Sequence, residues 1–171
     1  MSEKFKPGQF ESLIDLGGGT MPTMAKFAET SKSEFYINVE KNWPDENPIN
    51  PKKDIADKRD KEEYLKMQYV VVKDDMLDFI SKIPDNSANF TINGINYQII
   101  KNQKYHKALA QELVRATKEG GIIFGVQSDV FNYLSGEEFK DKVREIEKGR
   151  TERIFEKMKI EGNKKTNHET K

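Results

Sequence analysis

Five short apolar runs punctuate the chain, at Ser12 to Leu16, Phe35 to Val39, Tyr69 to Val72, Phe90 to Ile95 and Ile122 to Val126. Runs of this length, rich in β-branched and aromatic residues, read as strands, and the longer charged stretches between them read as helices and loops. Strands alternating with helical patterns predict βαβ units around a mostly parallel sheet. The first strand, Ser12 to Leu16, runs into a glycine turn. Pro22 suits a first helical position, where its missing N–H is no loss, so a helix is expected over Thr23 to Thr30. Glu40 ends the second strand, and Trp43 to Pro51, with three prolines, reads as a loop or lid. Lys52 to Lys66 reads as a solvent-facing helix whose narrow apolar stripe is Ile55, Ala56, Tyr64 and Leu65.

The unbroken apolar character of Tyr69 to Val72 predicts a third strand buried on both faces. A short helix is expected over Met76 to Ile83, stopped by Pro84, with a turn at Asp85 to Ser87. After the fourth strand, Lys104 to Thr117 places Leu109, Leu113 and Ala116 at helical spacing, broadened by Ala110 and Val114. Glu119-Gly120-Gly121 breaks that helix before the fifth strand, Ile122 to Gln127. Phe139, Val143 and Ile146 predict a further helix over Glu137 to Glu147, and Arg153 to Ile160 is the candidate sixth strand. Residues 1–162 read as a single domain, and the polar tail Asn163 to Lys171 is expected to be disordered.

The 29 basic and 29 acidic side chains cancel, so global charge offers no argument for a nucleic acid or an anionic membrane. No cysteine is present, which excludes disulfides and thiolate chemistry and suits a reducing cytoplasm. The first ten residues lack the apolar stretch of a signal peptide, and no segment approaches the length needed to span a bilayer. A cytoplasmic protein is the expectation. With His106 and His168 the only histidines, no metal site is expected.

Asp15-Leu16-Gly17-Gly18-Gly19-Thr20-Met21-Pro22 is the motif with chemical content. Glycines after the first strand let a ligand approach the backbone closely, and the following helix start adds partial positive charge. A dinucleotide fingerprint needs a third glycine where Pro22 stands. Asp15 also disfavours a phosphate and suits a ligand carrying a cationic amine or sulfonium. Glu40 lies about twenty residues on, where an acid can accept ribose hydroxyls. Asp74-Asp75-Met76 follows the third strand. There one carboxylate can receive an adenine amine beside Met76, or cap the helix.

The order of four stretches resembles the class I S-adenosylmethionine-dependent methyltransferases. They are Leu13 to Thr20; Tyr36 to Glu40; Asp75 to Phe79 running on to Ile83 to Ala88; and Glu112 to Gly121. The resemblance covers Leu13 to Val126. It implies a Rossmann-like three-layer α/β/α sandwich with a mostly parallel sheet of six or seven strands. It also implies S-adenosyl-L-methionine as cofactor. Asp15, Gly17, Gly18 and Gly19 then hold the amino-acid portion, and Glu40 is the ribose-binding acid. Asp75 and Met76 contact adenine, with Asp74 the rival one position away. Asn93 and Gly94 line the methyl-transfer site. The family commonly ends in two antiparallel strands, whereas this tail offers one convincing candidate.

No residue is identified as catalytic. Tyr97, His106, Asp129 and Tyr133 follow the fourth and fifth strands and are possible pocket residues, with His106, between Lys104 and Lys107, read as a solvated surface histidine. Thr91 to Asn96 lacks the Asn/Asp-Pro-Pro-aromatic signature of amino-directed nucleic-acid methylation, so a small-molecule acceptor is favoured over nucleic acid. Two other functions remain open: a cofactor-binding scaffold without activity, motivated by Met21-Pro22, and a nicotinamide-dependent oxidoreductase. Oligomeric state is not legible.

Overall fold

The computed structural model describes residues 11–19, 33–42, 68–93, 101–126, 129–149 and 152–159. The helices expected at Thr23 to Thr30 and Lys52 to Lys66, the proline loop at Trp43 to Pro51 and the C-terminal tail lie outside these residues.

Strands β1 (Ser12–Leu16), β2 (Phe35–Val39) and β3 (Gln68–Val72) form where the first three apolar runs stand. Helix α1 (Met76–Ser81) follows, then β4 (Asn89–Ile92), α2 (Gln103–Ala116), β5 (Ile122–Val126) and α3 (Asp129–Leu134). The described chain ends with β6 (Val143–Lys148) and β7 (Glu152–Lys157). One seven-stranded sheet joins them in the order β3-β2-β1-β4-β5-β7-β6. The first five strands pair in parallel, while β7 is antiparallel to both β5 and β6. From β1 the chain moves outward to β3, then returns to lay β4 on the other side of β1. That reversal is where an open α/β sheet forms its ligand crevice, at the carboxyl ends of the strands.

The centre of the sheet is buried on both faces. Leu13, Ile14 and Leu16 of β1 and Phe90 and Ile92 of β4 belong to the core. Helices α1, α2 and α3 pack in a row, α1 on α2 and α2 on α3. They contribute Ile80, Leu109, Leu113, Val130 and Phe131 to the cluster that holds Ile14, Leu16, Phe90 and Ile92. Asn89 shows how a polar residue is accommodated here. Its side chain donates to the Ser12 carbonyl at 3.3 Å and accepts from the Ile122 N–H at 2.9 Å, joining the starts of β1, β4 and β5. Among the described residues no helix is long and apolar enough to cross a membrane.

Two expectations are corrected. Among the described residues strand β3 stands at the edge of the sheet and pairs with β2 alone, and Val70 is 45% exposed rather than buried on both faces. Apolar composition cannot distinguish an edge from a central position, because the difference lies in whether a second strand docks. The segment expected to be a helix over Glu137 to Glu147 is instead a set of turns leading into β6. Phe139 and Val143 are buried, but Ile146 is 46% exposed. Glu, Lys and Arg favour helices, yet pairing with β7 decides the conformation. The same charges protect an edge strand from pairing with another chain. The sheet therefore ends in two antiparallel strands, where the sequence offered one candidate.

Smaller boundary shifts have local causes. Strand β4 stops at Ile92, one residue before Asn93 turns its side chain toward β1. Helix α1 ends at Ser81, whose hydroxyl donates to the Asp78 carbonyl at 2.8 Å. The fifth strand ends at Val126, and Gln127 lies outside the described residues.

Candidate functional site

The strand register aligns the ends of β1, β2 and β3, since Leu16 pairs with Val39 and Val39 with Val72. Backbone hydrogen bonds continue this line past the sheet. Gly17 N–H donates to Val39 O at 2.8 Å, Glu40 N–H to Val72 O at 3.0 Å, and Asn93 N–H to Leu16 O at 3.0 Å. The glycine turn, Glu40, the approach to Asp75 and Asn93 thus share one edge, at the reversal between β1 and β4.

Gly17 and Gly19 adopt φ of 74° and 69°, the left-handed region in which other residues are strained. Gly18 answers a different demand. A Cβ there would lie 2.5 Å from both Asp15 Oδ2 and Asn38 Oδ1. The turn is further fixed by Asn38, whose Nδ2 donates to Gly19 O at 2.9 Å. On its other side Gly19 N–H donates to Glu40 Oε2 at 3.2 Å. Glu40 Oε1 accepts from Asn42 N–H at 2.9 Å. A carboxylate has about four lone-pair positions, so Glu40 retains capacity for ligand hydroxyls.

Asp15 is fully buried. Its Oδ2 accepts from the Tyr36 hydroxyl at 2.5 Å, and its Oδ1 from Thr91 Oγ1 at 2.7 Å and Asn93 Nδ2 at 2.9 Å. Burial raises its pKa above the ordinary carboxylate value; the three hydrogen bonds oppose that shift and the nearby Glu40 charge adds to it. Asp15 therefore acts first as the joint of β1, β2 and β4 beneath the turn, with its charge behind the glycines.

The two aspartates after β3 divide their tasks. Asp75 caps α1, accepting from Leu77 N–H at 3.0 Å. It also accepts from the Tyr105 hydroxyl at 2.8 Å and from Lys41 Nζ at 3.4 Å. Burial pushes its pKa up, but these donors outweigh it and the net shift is downward. Asp74 accepts from Lys82 Nζ at 2.8 Å, which holds its pKa low. Met76 is buried in the core beside Ile80.

His106 corrects the surface assignment, being only 1% exposed. It lies on the α2 stripe with Leu109, Ala110 and Leu113, a spacing legible in the sequence but masked by its lysine neighbours. Among the described residues neither ring nitrogen has a hydrogen-bond partner, and Nδ1 lies 3.8 Å from Asp129 Oδ2 on α3. Asp129 is exposed, and Tyr133 packs against the core. Tyr97 and Gly94 lie outside the described residues. Among the described residues no three His, Asp or Glu side chains gather in a metal-binding group.

Tyr36, Asn38, Thr91 and Tyr105 do not stand out as site residues in the sequence. For Asn38 and Thr91 a signal existed, because a polar residue inside a buried strand needs a partner. Tyr105 had none, since its role depends on α2 packing against α1.

No family model matches the chain, and no curated protein matches it. Solved structures do. A proposed methyltransferase from Streptococcus mutans, in complex with SAH, is similar over 92% of this chain and 93% of its own, with TM-score 0.61 and 10% identity. A proposed rRNA-methylase from Clostridium thermocellum is similar over 92% and 91%, with TM-score 0.60 and 14% identity. A SAM dependent methyltransferase from Archaeoglobus fulgidus matches 71% of this chain at TM-score 0.47 and 16% identity, and this chain spans only 46% of its length. The α/β fold of this chain is that of the class I S-adenosylmethionine-dependent methyltransferases.

Proposed function

We propose that this chain, with its class I methyltransferase fold, is an S-adenosylmethionine-dependent methyltransferase acting on a small-molecule acceptor. The observation that carries the reading is the alignment of the Gly17 to Gly19 turn, Glu40 and Asp75 along adjacent strand ends. The donor set fits such a cofactor. Three carboxylates, those of Asp15, Glu40 and Asp75, favour a ligand bearing a positive amine and sulfonium, and they disfavour a pyrophosphate. The balanced global charge supports a small acceptor over a nucleic acid.

S-adenosylmethionine, when bound, supplies a methyl carbon already activated by its sulfonium. What remains for the protein is to hold acceptor and methyl in line. Asp15 stiffens the floor of the turn through Tyr36, Thr91 and Asn93. Asn38 and Glu40 fix the two faces of Gly19, and Glu40 offers its remaining lone pairs to ribose hydroxyls. Asp75 presents an acceptor to the adenine amine. Asn93, held by Asp15, stands at the end of β4 where the acceptor enters.

Calorimetric titration with S-adenosylmethionine, S-adenosylhomocysteine and NAD tests the reading. Heat with the two sulfur ligands and none with NAD is expected; silence from both sulfur ligands would overturn it. Binding without methyl transfer across a broad acceptor panel would point to a scaffold.

Two variants should report on the site. Glu40→Gln removes a charge-assisted acceptor and should weaken S-adenosylhomocysteine binding about tenfold. In Gly18→Ala the added methyl meets Asp15 and Asn38. Overpacking of this kind costs about 1–3 kcal/mol of folding stability, and pushing Asp15 and Asn38 aside reshapes the turn, so affinity should fall by the same titration. Unchanged affinity in both variants would place the ligand elsewhere.

A further inference from the structure

We infer that Tyr105 is a positioning residue that sets the orientation of the Asp75 carboxylate, making the site discriminate purines carrying an exocyclic amine from those carrying an oxo group. The inference rests on Asp75 contacting the adenine of the proposed cofactor. It adds a residue from α2, a helix apart from the strand ends that carry the other site residues.

Asp75 Oδ1 takes two hydrogen bonds, from Leu77 N–H at 3.0 Å and from the Tyr105 hydroxyl at 2.8 Å. The cap alone fixes one direction of the carboxylate, and the hydroxyl from a second helix fixes its rotation. Tyr105 also accepts weakly from Leu77 N–H at 3.3 Å, so the three groups close on one another. Burial, reinforced by the adjacent Asp75 charge, raises the Tyr105 pKa above the ordinary phenol range. The hydroxyl therefore stays protonated, and remains a donor, throughout neutral and mildly basic pH. With Oδ1 committed, Oδ2 is the oxygen left for a ligand. Among the described residues its hydrogen-bond partner is Lys41 Nζ at 3.4 Å, on a side chain that is 66% exposed.

An acceptor held in one orientation rewards an N–H of the ligand and is repelled by a lone pair. Adenine presents an amine where hypoxanthine presents an oxo oxygen. A carboxylate that can rotate loses much of that distinction, because it can turn the repelled oxygen away. Tyr105 thus controls selectivity, while the cap by itself supplies stability to α1.

The test compares S-adenosylhomocysteine with S-inosylhomocysteine, its hypoxanthine counterpart, by calorimetric titration of the full chain, with melting temperatures taken in parallel. The wild-type protein should prefer the adenine ligand by about tenfold or more, the scale of one charge-assisted hydrogen bond. Tyr105→Phe should compress that ratio severalfold. Asp75→Asn, which keeps a good helix cap, should abolish or invert it, because an amide can also donate to the oxo group. Equal weakening of both ligands in Tyr105→Phe, with the ratio preserved, would show only a structural brace and overturn the inference. Wild-type binding of both ligands with equal affinity would overturn it while leaving the proposed function standing. Binding of neither by the wild type would overturn both.

Discussion

Asp15→Ala is expected to lower the unfolding free energy by about 3 kcal/mol and to remove detectable binding of S-adenosylhomocysteine. The truncation leaves the Tyr36 and Thr91 hydroxyls and the Asn93 amide without their buried acceptor. An unsatisfied buried donor costs about 1–3 kcal/mol, and relief from burying a carboxylate offsets only part of the loss of this network. For a chain of this size the change corresponds to roughly 10 °C in melting temperature, measurable by thermal unfolding. A variant melting within a degree or two of wild type would refute the network's structural role. Asp15→Asn keeps an Oδ1 acceptor for Thr91 and Asn93 and should lose about 1 kcal/mol.

The pH dependence distinguishes Asp15 from the acids around it. Its pKa in the folded state is raised, mainly by burial, so the native protein holds that proton more tightly than the unfolded chain. Its contribution to stability is complete below the unfolded value of about 3.9 and is lost as pH rises through the folded value. Asp74 and Asp75 have lowered pKa values and behave oppositely, contributing above the unfolded value and losing that contribution as pH falls. The stability penalty of Asp15→Asn should therefore grow between neutral and mildly acidic pH. Urea midpoints at two pH values would show it, and a penalty that shrank on acidification would contradict the burial argument.

Gly125→Val should be the most damaging single change to the fold. Gly125 lies in β5 between β4 and β7, paired with Ile92 on one side and Arg153 on the other. A Cβ there would sit 2.3 Å from the Ile92 carbonyl oxygen and 2.8 Å from Phe131 Cζ. The first of these is backbone in a central strand, so no side-chain rotation relieves it. The second is a fully buried ring stacked on Phe155 at 5.8 Å. Overpacking of this kind costs about 1–3 kcal/mol where the surroundings can yield; here about 3 kcal/mol or more is expected, read as a loss in the urea midpoint. The displacement also reaches the site, because Ile92 immediately precedes Asn93 and its bond to Asp15. Gly125→Ala should show the same effect at smaller size. A Gly125→Val protein that unfolds at the wild-type midpoint would mean the strands separate more freely than the packing implies.

Much of the architecture was legible in local pattern. The five parallel strands stand where short apolar runs stand, because burial on a pleated surface demands those residue types over that length. The same is true of α2, whose stripe from Leu109 to Ala116 has helical periodicity. The C-terminal part was not. Phe139, Val143 and Ile146 imitate a helical face, and only the antiparallel pairing of β6 with β7 makes that stretch a strand. Such pairing is non-local, and charged edge strands carry little apolar signal.

For the site, the sequence by itself determined the chemistry available: a glycine turn preceded by Asp15, then Glu40 and Asp75 at intervals matching successive strand ends. The tertiary structure decided what each does. It buried Asp15 beneath the turn, assigned the helix cap to Asp75 rather than Asp74, and turned His106 inward against α3. It also brought Tyr105 from a later helix onto the Asp75 carboxylate. The physical reason is common to all four. Residue type and spacing along one element fix which groups are offered, but a hydrogen-bond partner or a covering helix comes from another element. Only packing brings that element within reach.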